Sequence, residues 1–223
     1  MPFTLSHPAA VLPFARTKLV FSALIAGALA PDIGYFLTFT SKHSESHSFA
    51  GLFLMCLPAG LLMLFVFHKL MKAPLLALLP ASHQARIYPY AQGFRFTPAP
   101  QFALILISLL IGSATHLLWD SFTHETGWVV ERVPLLIVLL FSIDGESIPA
   151  YKLLQHGSGI FGLLVLGVAY FSWLRDAKST GVERVDLPAD KKAMIVVLML
   201  AGACAAAMLR TIPPLVSWNT NPI

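Results

Sequence analysis

Charge is what this sequence has least of. Asp, Glu, Lys and Arg supply 12% of its 223 residues, where a soluble domain carries about 25%. Hydrophobic residues supply 57%, and the mean hydropathy is +0.73. That balance excludes a water-soluble globular domain and a disordered chain alike. Cysteine is scarce too. The two present, Cys56 and Cys204, lie inside apolar runs. A disulfide framework and a cysteine-type zinc site are thereby excluded, and both residues read as small buried hydrophobes. No internal repeat is evident. The formal charge of +4 comes from scattered Lys and Arg with no RNA- or DNA-binding motif, so nucleic acid is not an expected partner.

Long apolar runs are what the chain does have. A spanning helix needs about 20 mostly apolar residues, and five stretches qualify: 18–40, 49–70, 99–123, 153–174 and 193–212. The expected fold is all-α: a multi-pass membrane helical bundle of about five transmembrane helices, with short re-entrant or interfacial segments at 8–15 and 133–143. Arg16 and Lys18 before an apolar run that reaches Ala28-Leu29-Ala30 resemble a secretory leader. The run continues to Phe39, so cleavage is not expected. Threading five spans puts eleven Lys and Arg on the side that precedes the first span and four, Lys42, Arg132, Lys152 and Arg210, on the other. The richer side is therefore the cytoplasmic one. Residues 1–175 are expected to form the membrane-embedded core, and 176–223 a cytoplasmic loop and a C-terminal transmembrane helix. The Pro- and aromatic-rich stretch 72–98 reads as a cytoplasmic connection.

Against this background the ionisable residues inside the spans stand out. His116, Asp120 and His124 are spaced four and four, which places them on one helix face over about 12 Å. Ser108 and Gly112 extend that small, polar stripe backwards. A charge within a bilayer costs at least about 2.5 kcal/mol, so such residues either pair as polar glue between helices or bind something. Asp32 lies in the extracytoplasmic half of the first span. His43 and His47 follow in the next loop, and His156 opens the fourth span from the same side. Imidazoles and carboxylates from four segments thus converge at one depth, and both are standard ligands of zinc and similar divalent metals. The opposite halves, 19–27, 57–67, 99–111 and 160–174, contain no Asp, Glu, His, Lys or Arg. A path for ions needs polar groups throughout, which disfavours a transporter.

His7 precedes the first span. If residues 5–15 form a half-helix that turns near Arg16–Lys18, the chain returns along the first span and brings His7 to the depth of Asp32. A re-entrant N-terminal segment is therefore expected. His68 and His83 fall on the cytoplasmic side without partners and are set aside. His43 is a secondary candidate, paired with His47 at a spacing of four.

Several stretches, MPFTLSHPAAVLP at the start, APDIGYF, HSFAG, THLLWDSFTH at 115–124 and YKLLQHGSG, together resemble a bacterial family known as domain of unknown function 4184. The resemblance covers roughly residues 1–175. It implies a likeness to predicted membrane-bound metal-dependent hydrolases, in the cytoplasmic (inner) membrane of a bacterium. The ligand order also resembles that of soluble zinc-dependent phospholipases C and single-strand-specific nucleases. By that likeness the metal ligands would be His7, Asp32, His47, His116, Asp120, His124 and His156, around one to three zinc ions with an Asp bridging two. The sequence departs from those enzymes in lacking an N-terminal Trp and a late His-x-x-x-Glu, since Ile160 stands four residues after His156.

Seven candidates exceed the four ligands of one tetrahedral zinc, which motivates a two-metal site with Asp120 as the best bridge. Paired metals can clamp a phosphoryl oxygen and acidify water. The expected activity is hydrolysis of a phosphoester, a lipid headgroup at the outer leaflet, with Asp120 and Asp32 in the catalytic machinery. A non-catalytic metal- or lipid-binding membrane protein and, less favoured, a metal transporter are the alternatives. Trp128 and the segment 133–143 are candidates for a lid or lipid-facing wall. Glu125, Glu131, Asp144 and Glu146 are candidate general acids among which the sequence does not choose.

Overall fold

The computed structural model describes residues 4–34, 45–143, 146–178 and 187–211. It is a helical bundle. Among the described residues, four helices are long and apolar enough to cross a membrane: α2 (Phe49–Leu78), α4 (Ala99–Thr123), α5 (Ala150–Asp176) and α6 (Ala189–Thr211). A shorter apolar helix, α1 (Phe21–Leu29), precedes them and tightens into a 3-10 turn over Ala30–Asp32, where Pro31 has no amide hydrogen for an α-helical ladder. Residues 35–40, the far end of the first expected span, lie outside the described residues, as does His43. Large apolar side chains such as Leu62, Phe161, Leu164 and Val168 are exposed, the pattern of helices that meet lipid rather than water.

At the N-terminus a 3-10 helix spans Thr4–Phe14. Pro8 and Pro13 deny it regular α-helical bonding. It turns through residues 15–19, where the Thr17 hydroxyl donates to the Phe14 carbonyl (2.7 Å) and accepts from the Leu19 amide (3.2 Å). The chain then re-enters as α1. The segment packs against α1, α4 and α5, and Val11 shares a fully buried cluster with Leu24 and Ala28. The N-terminal hairpin expected from the sequence is thus present.

The tightest contact in the bundle joins α1 to α4, and small residues make it possible. A Cβ added at Gly27 would lie 2.2 Å from the Leu109 carbonyl oxygen, and one at Gly112 would lie 2.2 Å from that of Leu24. Two polar clasps cross the same contact. The Ser113 hydroxyl donates to the Gly27 carbonyl (3.0 Å), and the Val20 amide donates to the Ser108 hydroxyl (2.9 Å). Beside it, Ala23, Ala26, Leu64, Ile105 and Leu109 form the buried core between α1, α2 and α4.

Other expectations need correction. The stretch 72–98 is not a bare connection: α2 runs on to Leu78, and α3 follows over Ala81–Ala91. Ala77, Gln84 and Ala85 are buried, and the Gln84 side-chain amide donates to the Leu79 carbonyl (2.9 Å). The segment 133–143 is one helical turn, Pro134–Ile137, followed by β1 (Leu139–Ile143), which pairs antiparallel with β2 (Glu146–Pro149). Cys56 is buried, as expected, and its thiol lies 3.3 Å from the Ser46 carbonyl. Cys204 is exposed on α6, where no described side chain is buried.

Candidate metal centre

The last turns of α4 carry the centre of the site. His116 and Asp120 share one face because four residues nearly complete a turn, and both are buried. The 3-10 turn after α1 presents Asp32, the N-terminal segment presents His7, and the turn before α2 presents His47. One ligand atom from each of Asp32, His47, His116 and Asp120 lies within 4.8 Å of the other three. Four of the six separations are narrower still. His47 Nε2 is 3.4 Å from Asp32 Oδ1 and 3.4 Å from Asp120 Oδ2; His116 Nε2 is 3.5 Å and 3.2 Å from the same two oxygens. Ligands about 2.0–2.1 Å from a tetrahedral zinc stand about 3.3–3.4 Å apart. Four of the six edges of that polyhedron are already close to this length.

Hydrogen bonds behind the rings decide which nitrogen faces the centre. His116 Nδ1–H donates to the Ala28 carbonyl (2.7 Å), an acceptor brought within reach by the Gly27–Gly112 contact. His7 Nδ1–H donates to the Thr4 carbonyl (3.2 Å). His47 Nδ1 sits 3.1 Å from the Ser46 hydroxyl, whose own hydrogen goes to the Pro31 carbonyl (2.9 Å), so the ring donates there too. All three imidazoles therefore turn Nε2 to the carboxylates. A backbone or side-chain acceptor on the far nitrogen is how proteins orient metal-ligating histidines. His116 Nε2 supplies the sharpest test: it is fully buried and makes no hydrogen bond, although two carboxylate oxygens are within 3.5 Å. A buried nitrogen is seldom left so; a cation between these atoms would satisfy it.

Asp32 is held from the other side, with the Thr4 hydroxyl donating to its Oδ2 (2.5 Å). His7 Nε2 lies 3.0 Å from Asp120 Oδ1, and His124 Nδ1 3.4 Å from the same oxygen. His7 stacks on His116, with ring centroids 3.8 Å apart and planes 14° from parallel. The side chains of His7 and His116 are 0% exposed, those of His47 and His124 are 22% and 33%, so the site opens on the His47–His124 side. Burial disfavours a charged His47, but Asp120 and Asp32 outweigh it and hold the ring up to about 9. Burial holds His124 below the ordinary imidazole range.

Family comparison can now be set beside this geometry. The domain of unknown function DUF4184 matches residues 1–220. The chain belongs to that family. No curated protein and no solved structure matches it.

Of the seven ligands suggested by the sequence, six come together: His7, Asp32, His47, His116, Asp120 and His124. His156 does not join them. It is exposed on α5, whereas its neighbour Gln155 is buried. One residue rotates a helix position by about 100°, enough to exchange the inward place. Thr4, Ser46 and the Ala28 carbonyl were not legible as site residues, since acceptors behind a ring leave no spacing signal. Of the acidic candidates, Glu131 lies 3.6 Å from Arg132, and Glu125, next to His124, faces the Tyr151 hydroxyl. Asp144 lies outside the described residues. Trp128 is exposed and stacks under the Arg132 guanidinium (4.7 Å).

Proposed function

We propose that this chain is an integral-membrane, metal-dependent hydrolase that cleaves a phosphoester of a lipid headgroup at the outer leaflet. Asp32, His47, His116 and Asp120 would hold a divalent cation, zinc by the nature of the donors. The observation that carries this reading is the buried His116 Nε2, without a hydrogen bond, facing two carboxylates 3.5 and 3.2 Å away in a group of four converging donors. A cation so held would polarise a phosphoryl oxygen and acidify water. In the reaction, a water oxygen forms a bond to phosphorus, the ester P–O bond breaks, and the leaving oxygen takes up a proton. His7, His116 and Thr4 keep Asp32 and Asp120 in place as this happens.

A lipid substrate is supported by the surroundings of the opening. Trp119, Phe122, Thr123, Leu154 and Ser158 line a groove of about 320 Å³ between α4 and α5, and Thr123 adjoins His124. An acyl chain suits such a groove. All the clustered donors lie at one end of α4, and its other half is apolar, which disfavours a route for ions.

Purified protein in detergent, loaded with zinc, tests the reading. Release of phosphate or a phosphorylated headgroup from phospholipid is expected, and His116→Ala and Asp120→Asn abolish it. A chain that binds zinc through these residues without turnover on any phospholipid or chromogenic phosphodiester is instead a metal-binding membrane protein.

A further inference from the structure

The groove between α4 and α5 and the carboxylate cluster share walls. Trp119 lines the groove, and its ring also meets the ring of His7, with centroids 5.5 Å apart and planes at 51°. Thr123 lines the groove too, and its hydroxyl oxygen lies 3.4 Å from His124 Nδ1. These are the two histidines beside Asp120 Oδ1, at 3.0 and 3.4 Å. Each is therefore backed by a groove-lining residue. The backing is itself anchored. The Trp119 indole N–H donates to the Ser158 hydroxyl (3.0 Å), and the Thr123 hydroxyl donates to the Trp119 carbonyl (3.3 Å). A Cβ added at Gly162 would lie 3.2 Å from the indole and 2.9 Å from the Ser6 side chain, so α5, the indole and the residue before His7 are in close contact.

We propose that Trp119 is a positioning residue that couples the groove to the cluster: one hydrocarbon chain of the substrate, seated in the groove, holds the indole, and through His7 it holds Asp120, so that the chain speeds turnover as well as tightening binding. This rests on the reading that the site cleaves a lipid phosphoester. The occupant follows from the walls. The indole has a single donor, and Ser158 takes it, so the ring offers the groove only carbon. Both flanking helices are apolar enough to span a membrane, and a volume of about 320 Å³ is at the small end for a ligand site, enough for one chain. Contacts remote from the reacting atoms can serve to orient them, and a substrate that lacks such contacts loses kcat. A wall that merely solvates the chain binds ground and transition states equally and changes KM alone. The competing account makes Trp119 plain packing between α4 and α5; chain length would then leave kcat and metal binding untouched.

The full chain is purified in a steroidal detergent, which has no alkyl chain to fill the groove. Trp128→Phe, Trp173→Phe and Trp218→Phe leave Trp119 as the one tryptophan. Phosphatidylcholine brominated along its acyl chains is expected to quench the Trp119 emission. Unbrominated phosphatidylcholine is expected to raise zinc affinity about fivefold or more, the usual scale of coupling between sites, and Trp119→Leu to remove that gain. With zinc bound, kcat for dodecyl 4-nitrophenyl phosphate is expected to exceed that for the butyl ester about tenfold or more, the scale of small positioning errors, and the two to converge in Trp119→Leu. Ser158→Ala frees the indole but keeps its bulk. It is expected to keep the melting temperature and to lower the kcat ratio about fivefold, the factor one hydrogen bond supplies. No quenching, equal kcat for the two esters, or a kcat ratio unchanged in both variants overturns the coupling. If zinc binds and neither ester is cleaved, the hydrolase reading fails, and the effect of phosphatidylcholine on zinc affinity in wild type against Trp119→Leu decides the coupling alone. If no zinc binds, both fail.

Discussion

Replacing Gly112 with alanine adds a methyl group where the Leu24 carbonyl oxygen is only 2.2 Å away. Carbon and a carbonyl oxygen rest at about 3.3 Å or more, so α1 and α4 must part by about 1 Å. The obstacle is backbone and cannot swing aside. Two hydrogen bonds across the contact then stretch: Ser113 to the Gly27 carbonyl from 3.0 Å, and His116 to the Ala28 carbonyl from 2.7 Å. Each lost buried hydrogen bond removes about 1 kcal/mol, and the forced fit adds about 1–3 kcal/mol. A destabilisation of about 3–5 kcal/mol is expected. Because His116 loses the acceptor that aims its Nε2, zinc affinity falls as well. Gly167→Ala is the control, since its added Cβ has no atom within 4 Å; alanine there is neutral or favourable by up to about 1 kcal/mol. Thermal unfolding in detergent and zinc content after dialysis measure both effects. If Gly112→Ala matches Gly167→Ala in melting temperature and metal content, the close α1–α4 contact does not position the site.

Zinc at a hundred times its dissociation constant is expected to stabilise the folded chain by about 2.7 kcal/mol, and Asp32→Asn to remove most of that gain in a thermal shift assay. His47, held up to about 9 in the metal-free protein, is protonated at neutral pH and must lose that proton to bind a metal. Zinc affinity is therefore expected to rise with pH through 7 to 9 and level off above, and the calorimetric enthalpy at pH 7 to track the ionisation enthalpy of the buffer; an enthalpy independent of buffer contradicts this. His156→Ala is expected to keep wild-type metal content, because His156 is exposed on α5; loss of an equivalent would show that it is a ligand after all. Leu154→Trp, which fills the groove beside Thr123, is expected to raise KM for long-chain phospholipid several-fold and to spare a soluble phosphodiester.

The apolar runs determined the membrane bundle, since a stretch of about 20 residues without charge has no other stable home. The four-and-four spacing of His116, Asp120 and His124 determined that they share a face, because helix geometry relates residues within one element. The basic pair Arg16 and Lys18, nine residues after His7 and fourteen before Asp32, marked the N-terminal hairpin that delivers His7. Relations between elements were another matter. Whether Gln155 or His156 turns inward depends on the rotation of α5 against its neighbours, and periodicity carries no such phase. Which oxygen of Asp120 faces which histidine, and that the Ala28 carbonyl pins His116, depend on how closely Gly27 and Gly112 let two backbones approach. The residue types were in the sequence; their aim came from packing.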